Sequence, residues 1–167
     1  MSRSVRFKLP RAKIGIVFGV LYFAAIVGFV AYAFLPKPVD ASSEERLFMP
    51  SIGLIARVSD IERTGNQLIA PDEIAGAYQP TIHKTVIIGH SSTIFRDLNK
   101  LGDEDKFTFD GREYKTVSRE ILPKNLVNME EVVSETEKYT VILMTCAGES
   151  LGGHDYSHRL VITAEEV

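Results

Sequence analysis

Residues 139–146 read Y-T-V-I-L-M-T-C, a run of β-branched and aliphatic residues that ends on the only cysteine among 167 residues. Thirteen positions later, Arg159 opens a second apolar run, R-L-V-I-T-A, and far upstream the run K-T-V-I-I-G ends at His90. Short apolar runs of this kind predict buried strands. A thiol, a guanidinium and an imidazole at strand ends are the groups of a thiolate nucleophile with its acid/base and its anion stabiliser.

The lone cysteine also has a second interpretation, because free cysteine is among the most buried residue types and often acts as a small hydrophobe. Cys146 is followed by A-G-E-S, so it lies at the end of its apolar run. Strand ends and loops are where functional sites are built, which favours the reactive interpretation. A single cysteine also excludes an internal disulfide.

The N-terminal region predicts a membrane anchor. Residues 1–13 contain five basic residues and no acidic one, and residues 14–34 carry no charge. At 1.5 Å per residue this apolar stretch forms a helix of about 31 Å, long enough to cross the hydrocarbon core. The basic flank predicts a cytoplasmic N-terminus and an extracellular remainder. The alternative is a signal peptide cleaved at Ala31-Tyr32-Ala33, although signal peptides typically have a shorter apolar region.

Four segments are therefore assigned along the chain. Residues 1–13 form a cytoplasmic basic tail, 14–35 a transmembrane anchor, 36–46 a linker, and 47–167 one catalytic domain. All 22 acidic residues lie beyond the anchor with 14 of the 19 basic ones, which gives the external region a net charge of −8. This charge argues against binding to nucleic acid or to an anionic lipid surface, because both partners select a basic face.

The external region predicts several short strands. Residues 47–58 have the pattern of a strand interrupted at Pro50, and residues 60–78 have an irregular pattern with glycine and proline. Residues 106–122 predict a hairpin, because Asp110-Gly111 separates two alternating runs and Asp-Gly is a strong turn signal.

Two short stretches have helical spacing of apolar residues, 94–101 and 126–137. Asn125 or Asn128 is the expected N-cap of the second. Many short strands with few helices predict a mainly β domain that is a closed or partly closed barrel. If the last two strands pair, Cys146 and Arg159 face each other at one edge of the barrel. Residues 147–158 are then the connecting loop, and the position of His90 depends on the fold.

Four fragments together resemble the sortases, which are cysteine transpeptidases of the bacterial cell surface. They occur in the family's order: M-P-S-I-G-L at 49–54, T-V-I-I-G-H at 85–90, I-L-M-T-C at 142–146 and R-L-V-I-T-A at 159–164. The resemblance covers about 120 residues. It implies a closed eight-stranded sortase-type β-barrel, with His90, Cys146 and Arg159 as the catalytic residues and Thr145 as a substrate contact.

The resemblance also implies the reaction and the partners. A sortase cleaves an LPXTG-like sorting motif of secreted proteins, forms a thioester and transfers the acyl group to an amine of the cell envelope. Ile142 is a mild departure from the family signature. The short linker and the absence of a second apolar span after Val167 favour protein anchoring over pilin polymerisation.

No metal or cofactor is expected. The remaining histidines, His83, His154 and His158, have no second cysteine or well-spaced carboxylate with which to complete a four-ligand site. An acidic cluster at 103–105 with Glu130, Glu131 and Glu135 is an alternative calcium site. A solvated acidic face is the preferred interpretation of that cluster.

The sequence is also compatible with two other functions. A cysteine peptidase acting on cell-wall peptides also uses a cysteine and a histidine, but a papain-like enzyme places the cysteine at a helix start, where the helix dipole lowers the pKa of the thiol. A non-catalytic, membrane-tethered β domain keeps Cys146 buried and unreactive towards thiol reagents.

Overall fold

The computed structural model describes residues 45–65, 67–153 and 155–167. The tail, the anchor and nearly all of the linker predicted at residues 1–46 lie outside the described residues. In the part of the chain that is described, no helix has the length and apolar character needed to cross a membrane.

Strands dominate the described part of the chain. They are β1 (Glu45–Met49), β2 (Leu54–Asp60), β3 (Arg63–Thr64), β4 (Gln67–Leu68), β5 (Ala75–Thr81), β6 (Lys84–Ile88), β7 (Lys106–Phe109), β8 (Arg112–Pro123), β9 (Thr140–Gly152) and β10 (Asp155–Glu166). The helical elements are the short helix α1 (Met129–Val132) and the 3₁₀ turns Pro50–Ile52, Leu98–Lys100 and Lys124–Leu126.

Eight of the described strands close into a barrel in the order β1-β2-β5-β6-β9-β10-β8-β7. Most neighbours are antiparallel, but β2 pairs with β5 and β6 pairs with β9 in parallel. The predicted mainly β architecture with a closed eight-stranded barrel is therefore confirmed. Strands β3 and β4 form a separate two-stranded hairpin in the region expected to be irregular.

The predicted hairpin between β7 and β8 is confirmed, with Asp110 and Gly111 at its tip. Their φ angles are 47° and 71°. A two-residue turn with positive φ at both positions matches the right-handed twist of the flanking strands. Pro50 also interrupts the first strand as expected, because it begins a 3₁₀ turn between β1 and β2.

The two helical predictions had different outcomes. Asn128 caps α1 by accepting a hydrogen bond of 3.1 Å from the Glu130 backbone N–H, although α1 is shorter than expected. The helix expected over 94–101 is wrong, because the segment is a series of turns that ends in a 3₁₀ turn. Its buried residues Phe95, Leu98 and Leu101 recur every three positions, which is the period of a 3₁₀ helix.

The loop expected over 147–158 is also wrong. Strand β9 continues to Gly152 and β10 begins at Asp155, so most of this region is a hairpin extension of the barrel. The glycine and serine content that suggested a loop instead allows a tight turn, since Gly152 and Gly153 have φ angles of 105° and 59°.

Side chains on the three strands β6, β9 and β10 alternate between two apolar clusters. The inner cluster fills the barrel and includes Ile87, Val141, Leu143, Leu160 and Ile162. The outer cluster lies on the opposite face and includes Val86, Ile88, Ile142, Met144 and Val161. This alternation follows from the two-residue repeat of a strand, so sequence position decides which face each side chain joins.

Candidate active site

Cys146 and Arg159 are direct register partners on the antiparallel strands β9 and β10. The predicted pairing of these strands, with the two residues facing each other, is confirmed. Directly opposite residues of an antiparallel pair have Cβ atoms about 4.5–5.5 Å apart. The thiol is half-buried. The Arg159 guanidinium can therefore interact with a group that is bound to the Cys146 sulfur.

His90 reaches the same end of the barrel through the parallel pairing of β6 with β9. The last paired residues are Ile88 and Met144, and the Gly89 backbone N–H donates to the Met144 carbonyl at 3.4 Å. His90 lies two residues beyond Ile88, as Cys146 lies two residues beyond Met144. His90 and Cys146 therefore follow the same end of this parallel pair.

Cys146 and Arg159 belong to the outer face of the barrel. Met144 and Val161 of the outer cluster are two residues from Cys146 and Arg159 respectively, and alternation places residues two apart on one face. The outer cluster thus forms an apolar floor that leads along the strands to the thiol and the guanidinium.

Thr145 lies on the inner face, between these two outward positions. It is buried, and its hydroxyl donates a hydrogen bond of 2.7 Å to the Gly89 carbonyl. The hydroxyl therefore connects the residue before Cys146 to the residue before His90. The substrate contact expected of Thr145 does not fit this placement, because the side chain points away from the face that carries the thiol.

The backbone around His90 is held tightly. The His90 carbonyl accepts hydrogen bonds from the N–H groups of Thr93 at 3.2 Å and Phe95 at 3.0 Å. A Cβ at Gly89 would lie 2.5 Å from the Cγ2 atom of Ile94 and 2.8 Å from the Cδ2 atom of Phe95, so the turn needs glycine there. The His90 side chain is 24% exposed, and its Nε2 atom lies 3.8 Å from the Oδ1 atom of the fully exposed Asp72.

Arg159 is oriented by the backbone of its own strand. Its Nη1 group donates to the carbonyls of Tyr156 at 3.0 Å and His158 at 2.9 Å. Its Nη2 atom lies 3.7 Å from the Oδ1 atom of Asp155. Asp155 is in turn bound by Lys124, and the hydrogen bond from Lys124 is the main reason that the pKa of this carboxyl lies below its usual value. One end of the guanidinium fork is thus fixed to the backbone.

A cleft of about 640 Å³ opens beside Arg159. Its lining includes Leu68, Val127, Met129, Met144 and Asp155. Leu68 comes from the β3–β4 hairpin, and Val127 and Met129 come from the segment that connects β8 to β9. Gln67, Lys124, Asn125 and Arg159 complete the lining, so the cleft offers both apolar and polar contacts. Such a mixed lining suits an extended peptide.

The other histidines have different partners. His83 contacts Glu135 through its Nδ1 atom at 3.2 Å. His158 shares a hydrogen bond of 2.8 Å with the Ser157 hydroxyl. His154 lies outside the described residues. Neither of these two histidines follows the end of β6, where His90 lies.

Two of the acidic residues considered as a calcium site have partners of their own. Asp105 accepts a hydrogen bond from the Gly102 N–H at 2.8 Å, and Glu104 pairs with Lys115. Within residues 45–65, 67–153 and 155–167, no group of three or more His, Cys, Asp or Glu side chains is arranged to hold a metal ion.

Residues 47–167 match the family model of the sortase domain. The chain belongs to the sortase family. The match spans both strands of the Cys146–Arg159 pair, the turn at His90 and the whole of the described barrel except the start of β1. Among curated proteins, none matches this sequence.

Solved sortase structures have the same fold. Sortase A of Listeria monocytogenes is 18% identical with a TM-score of 0.57, and the alignment covers 74% of this chain and 86% of that one. Sortase C-3 of Streptococcus pneumoniae is 21% identical with a TM-score of 0.55, covering 74% and 62%. Sortase A of Actinomyces oris is 18% identical with a TM-score of 0.55, covering 74% and 78%. This chain thus spans less than two thirds of the pneumococcal protein.

Two residues near this face were missed by sequence reasoning. Asp72 lies beside His90, although it belongs to a stretch that the sequence leaves irregular. Lys84 is buried, although lysine is almost never fully buried without a partner. The only signal for Lys84 was its place at the start of a strand whose other residues are apolar.

Proposed function

We propose that this protein is a membrane-anchored cysteine transpeptidase of the sortase type. It cleaves an LPXTG-like sorting motif and transfers the acyl part to an amine of the cell envelope. The observation that supports this proposal is the register pair Cys146–Arg159 in a chain of the sortase family, with His90 two residues beyond the last paired residue of β6.

The reaction divides into two transfers at one sulfur atom. The Cys146 thiolate attacks the scissile carbonyl, a carbon–sulfur bond forms, and the peptide carbon–nitrogen bond breaks as His90 gives a proton to the leaving amine. In the second transfer, the incoming amine attacks the thioester carbonyl and gives a proton back to His90. The new amide forms and the thiolate leaves, so the enzyme returns to its starting state.

Arg159 stabilises the negative charge that develops on the carbonyl oxygen in each transfer. Its guanidinium is always charged and presents donors in a planar fork. Because Nη1 is occupied by two backbone carbonyls, the remaining N–H groups are the ones that serve the oxyanion. A donor fixed in advance stabilises the transition state without reorganising during the reaction.

The anchor and the location complete the proposal. The apolar stretch 14–34 holds the enzyme in the cell membrane, and the basic residues before it keep the N-terminus in the cytoplasm. The catalytic domain is then extracellular, where secreted substrates and envelope amines meet. No cofactor takes part in this scheme.

The proposal is tested by incubating the full-length protein in detergent with a library of LPXTG-like peptides and a set of amines. Mass spectrometry is expected to detect an acyl adduct on Cys146 and a peptide joined to the amine. Hydrolysed peptide alone, at every amine concentration, would instead support a cysteine peptidase. No adduct and no product would support the non-catalytic β domain.

Arg159→Lys separates charge from fork geometry. Lysine keeps the charge but replaces the planar fork with a compact ammonium. We expect kcat to fall by about 10²–10³-fold, the range for losing one oxyanion donor, and Arg159→Ala to be only slightly worse. Steady-state kinetics of both variants provide the measurement. Near-normal rates in both would reduce Arg159 to a surface partner of Asp155, since such pairs contribute only about 0–1 kcal/mol.

Thr145→Val tests whether the buried hydroxyl positions His90. Valine has nearly the same shape but leaves the Gly89 carbonyl without its donor, so kcat is expected to fall by about fivefold, equivalent to one net hydrogen bond of roughly 1 kcal/mol. Thr145→Ser retains the hydroxyl and should recover most of the activity. A Thr145→Val enzyme with unchanged kcat would show that Gly89 holds its position without this bond.

A further inference from the structure

The segment between β8 and β9, residues 124–139, lies over the outer face of the barrel. Val132 is buried in the outer cluster, and Val127, Met129 and Val133 pack against it. Val127 lines both the 640 Å³ cleft beside Arg159 and a second cavity of about 360 Å³ on the same face. The position of this segment therefore determines where Val127, the wall that the two cavities share, is located.

Lys84 is attached to the underside of that segment. Its side chain is 4% exposed, and its Nζ group donates to the Glu131 carbonyl at 3.3 Å and the Ser134 hydroxyl at 3.4 Å. Burial lowers the pKa of this lysine, while the nearby carboxylates of Glu131 and Glu135 oppose the shift. A buried ammonium is costly unless it is hydrogen-bonded and paired, so its partners matter for the local structure.

Two neighbouring contacts reinforce the same attachment. His83 contacts the Glu135 carboxylate at 3.2 Å, and the His83 carbonyl accepts a hydrogen bond of 2.7 Å from the Thr140 N–H. The start of β6 thus holds the segment through the side chains of two consecutive residues. The His83–Glu135 pair is exposed and weak, which leaves Lys84 as the stronger of the two attachments.

Lys84 is too far along the strands to touch the reacting atoms. It is the register partner of Thr140, which lies six residues before Cys146 on β9. At about 3.3 Å per residue, this separation is on the order of 20 Å. Any effect of Lys84 on the reaction must therefore pass through the segment that it holds.

We propose that Lys84 is a positioning residue that holds residues 124–139 over the outer face and so shapes the groove for the sorting peptide. This inference rests on the proposed function, because it assigns the peptide to the groove between this segment and the barrel. Loss of the attachment leaves the thiol and its partners in place but lets the wall at Val127 and Met129 move. Lys84 therefore affects peptide binding and not the chemical steps.

The test is Lys84→Met in the full-length protein, which keeps an unbranched apolar stem of nearly the same length and removes the ammonium donors. KM for the peptide is expected to rise about tenfold, equivalent to roughly one hydrogen bond from a charged group, while kcat stays within about twofold. Hydrogen exchange of the backbone N–H groups at 127–134 is expected to become faster in the peptide-free enzyme. Ser134→Ala, which keeps Lys84 and removes one acceptor, should change both in the same direction by less.

Lys106→Met is the matched control, because Lys106 forms a surface pair with Glu113 at 2.7 Å and touches neither the segment nor the cavities. It should leave KM and exchange unchanged. A raised KM in Lys84→Met with unchanged exchange would overturn the proposal in favour of direct peptide contact, and an unchanged KM would also overturn it. The exchange measurement needs no substrate, so it remains informative if the wild-type protein proves not to be a transpeptidase.

Discussion

Cys146→Ala is expected to abolish both the acyl adduct and the transfer of peptide to amine, with no turnover above the uncatalysed background. The thiolate is the atom that forms the covalent intermediate, and a methyl group has no lone pair with which to attack a carbonyl. Because Cys146 is the only cysteine in the chain, labelling by a thiol reagent should disappear in the same variant. Intact-mass spectrometry measures both the adduct and the label.

The fold of this variant should remain intact. Cys146 is half-buried at the rim of the outer cluster, and replacing it with alanine removes one sulfur atom and leaves no large buried cavity. Circular dichroism and the thermal midpoint are expected to match those of the wild-type protein. Turnover retained in purified, correctly folded Cys146→Ala would end the assignment of this residue as the nucleophile.

The pairing of Cys146 with Arg159 could be predicted because it depends on local sequence. Two apolar runs separated by a stretch rich in glycine pair as neighbours, and the two-residue repeat then decides which residues share a face. The Asp110-Gly111 turn and the Asn128 cap could be predicted from the sequence for the same reason. Each depends on the conformational preference of one or two residues.

The place of His90 could not be predicted in this way. His90 is 56 residues before Cys146 in the sequence, and the parallel pairing of β6 with β9 places both residues at the same end of the barrel. Parallel partners are joined by long crossover connections, so no short-range pattern marks their register. The sequence marked His90 as a candidate because it ends an apolar run, and the resemblance to a family selected it over the other histidines. Its place relative to Cys146 depends on the parallel register of β6 and β9.

The roles of Thr145 and Lys84 were hidden for a different reason. The family resemblance implied a substrate contact for Thr145, which precedes the nucleophile, but alternate strand residues point to opposite faces. The sequence pattern places Lys84 at the polar start of a strand. Its burial depends on a segment about 45 residues later, which covers it. Contacts between residues that are far apart in the sequence cannot be predicted from the residues next to each of them.

His90→Ala is expected to lower kcat by about 10²–10⁴-fold, the contribution of a well-placed general acid/base. Without the imidazole, the leaving amine must depart without a proton donor, and the incoming amine has no acceptor for its proton. Single-turnover measurements with the peptide should show slow formation of the acyl adduct. Added amine should then release that adduct slowly as well, because the same group serves both transfers.

His83→Ala and His158→Ala are the matched controls, since each removes an imidazole whose contacts lie away from the thiol. His83 contacts Glu135. His158 pairs with Ala147 and is bonded to Ser157, and strand alternation places it on the face opposite Arg159 and Cys146. Both variants should keep kcat within a few-fold of the wild-type value, and His154→Ala is expected to behave likewise. If His158→Ala lost as much activity as His90→Ala, the acid/base would have to come from β10, beside Arg159. The parallel pairing of β6 with β9 would then have only a structural role in the barrel, and His90 would have no part in proton transfer.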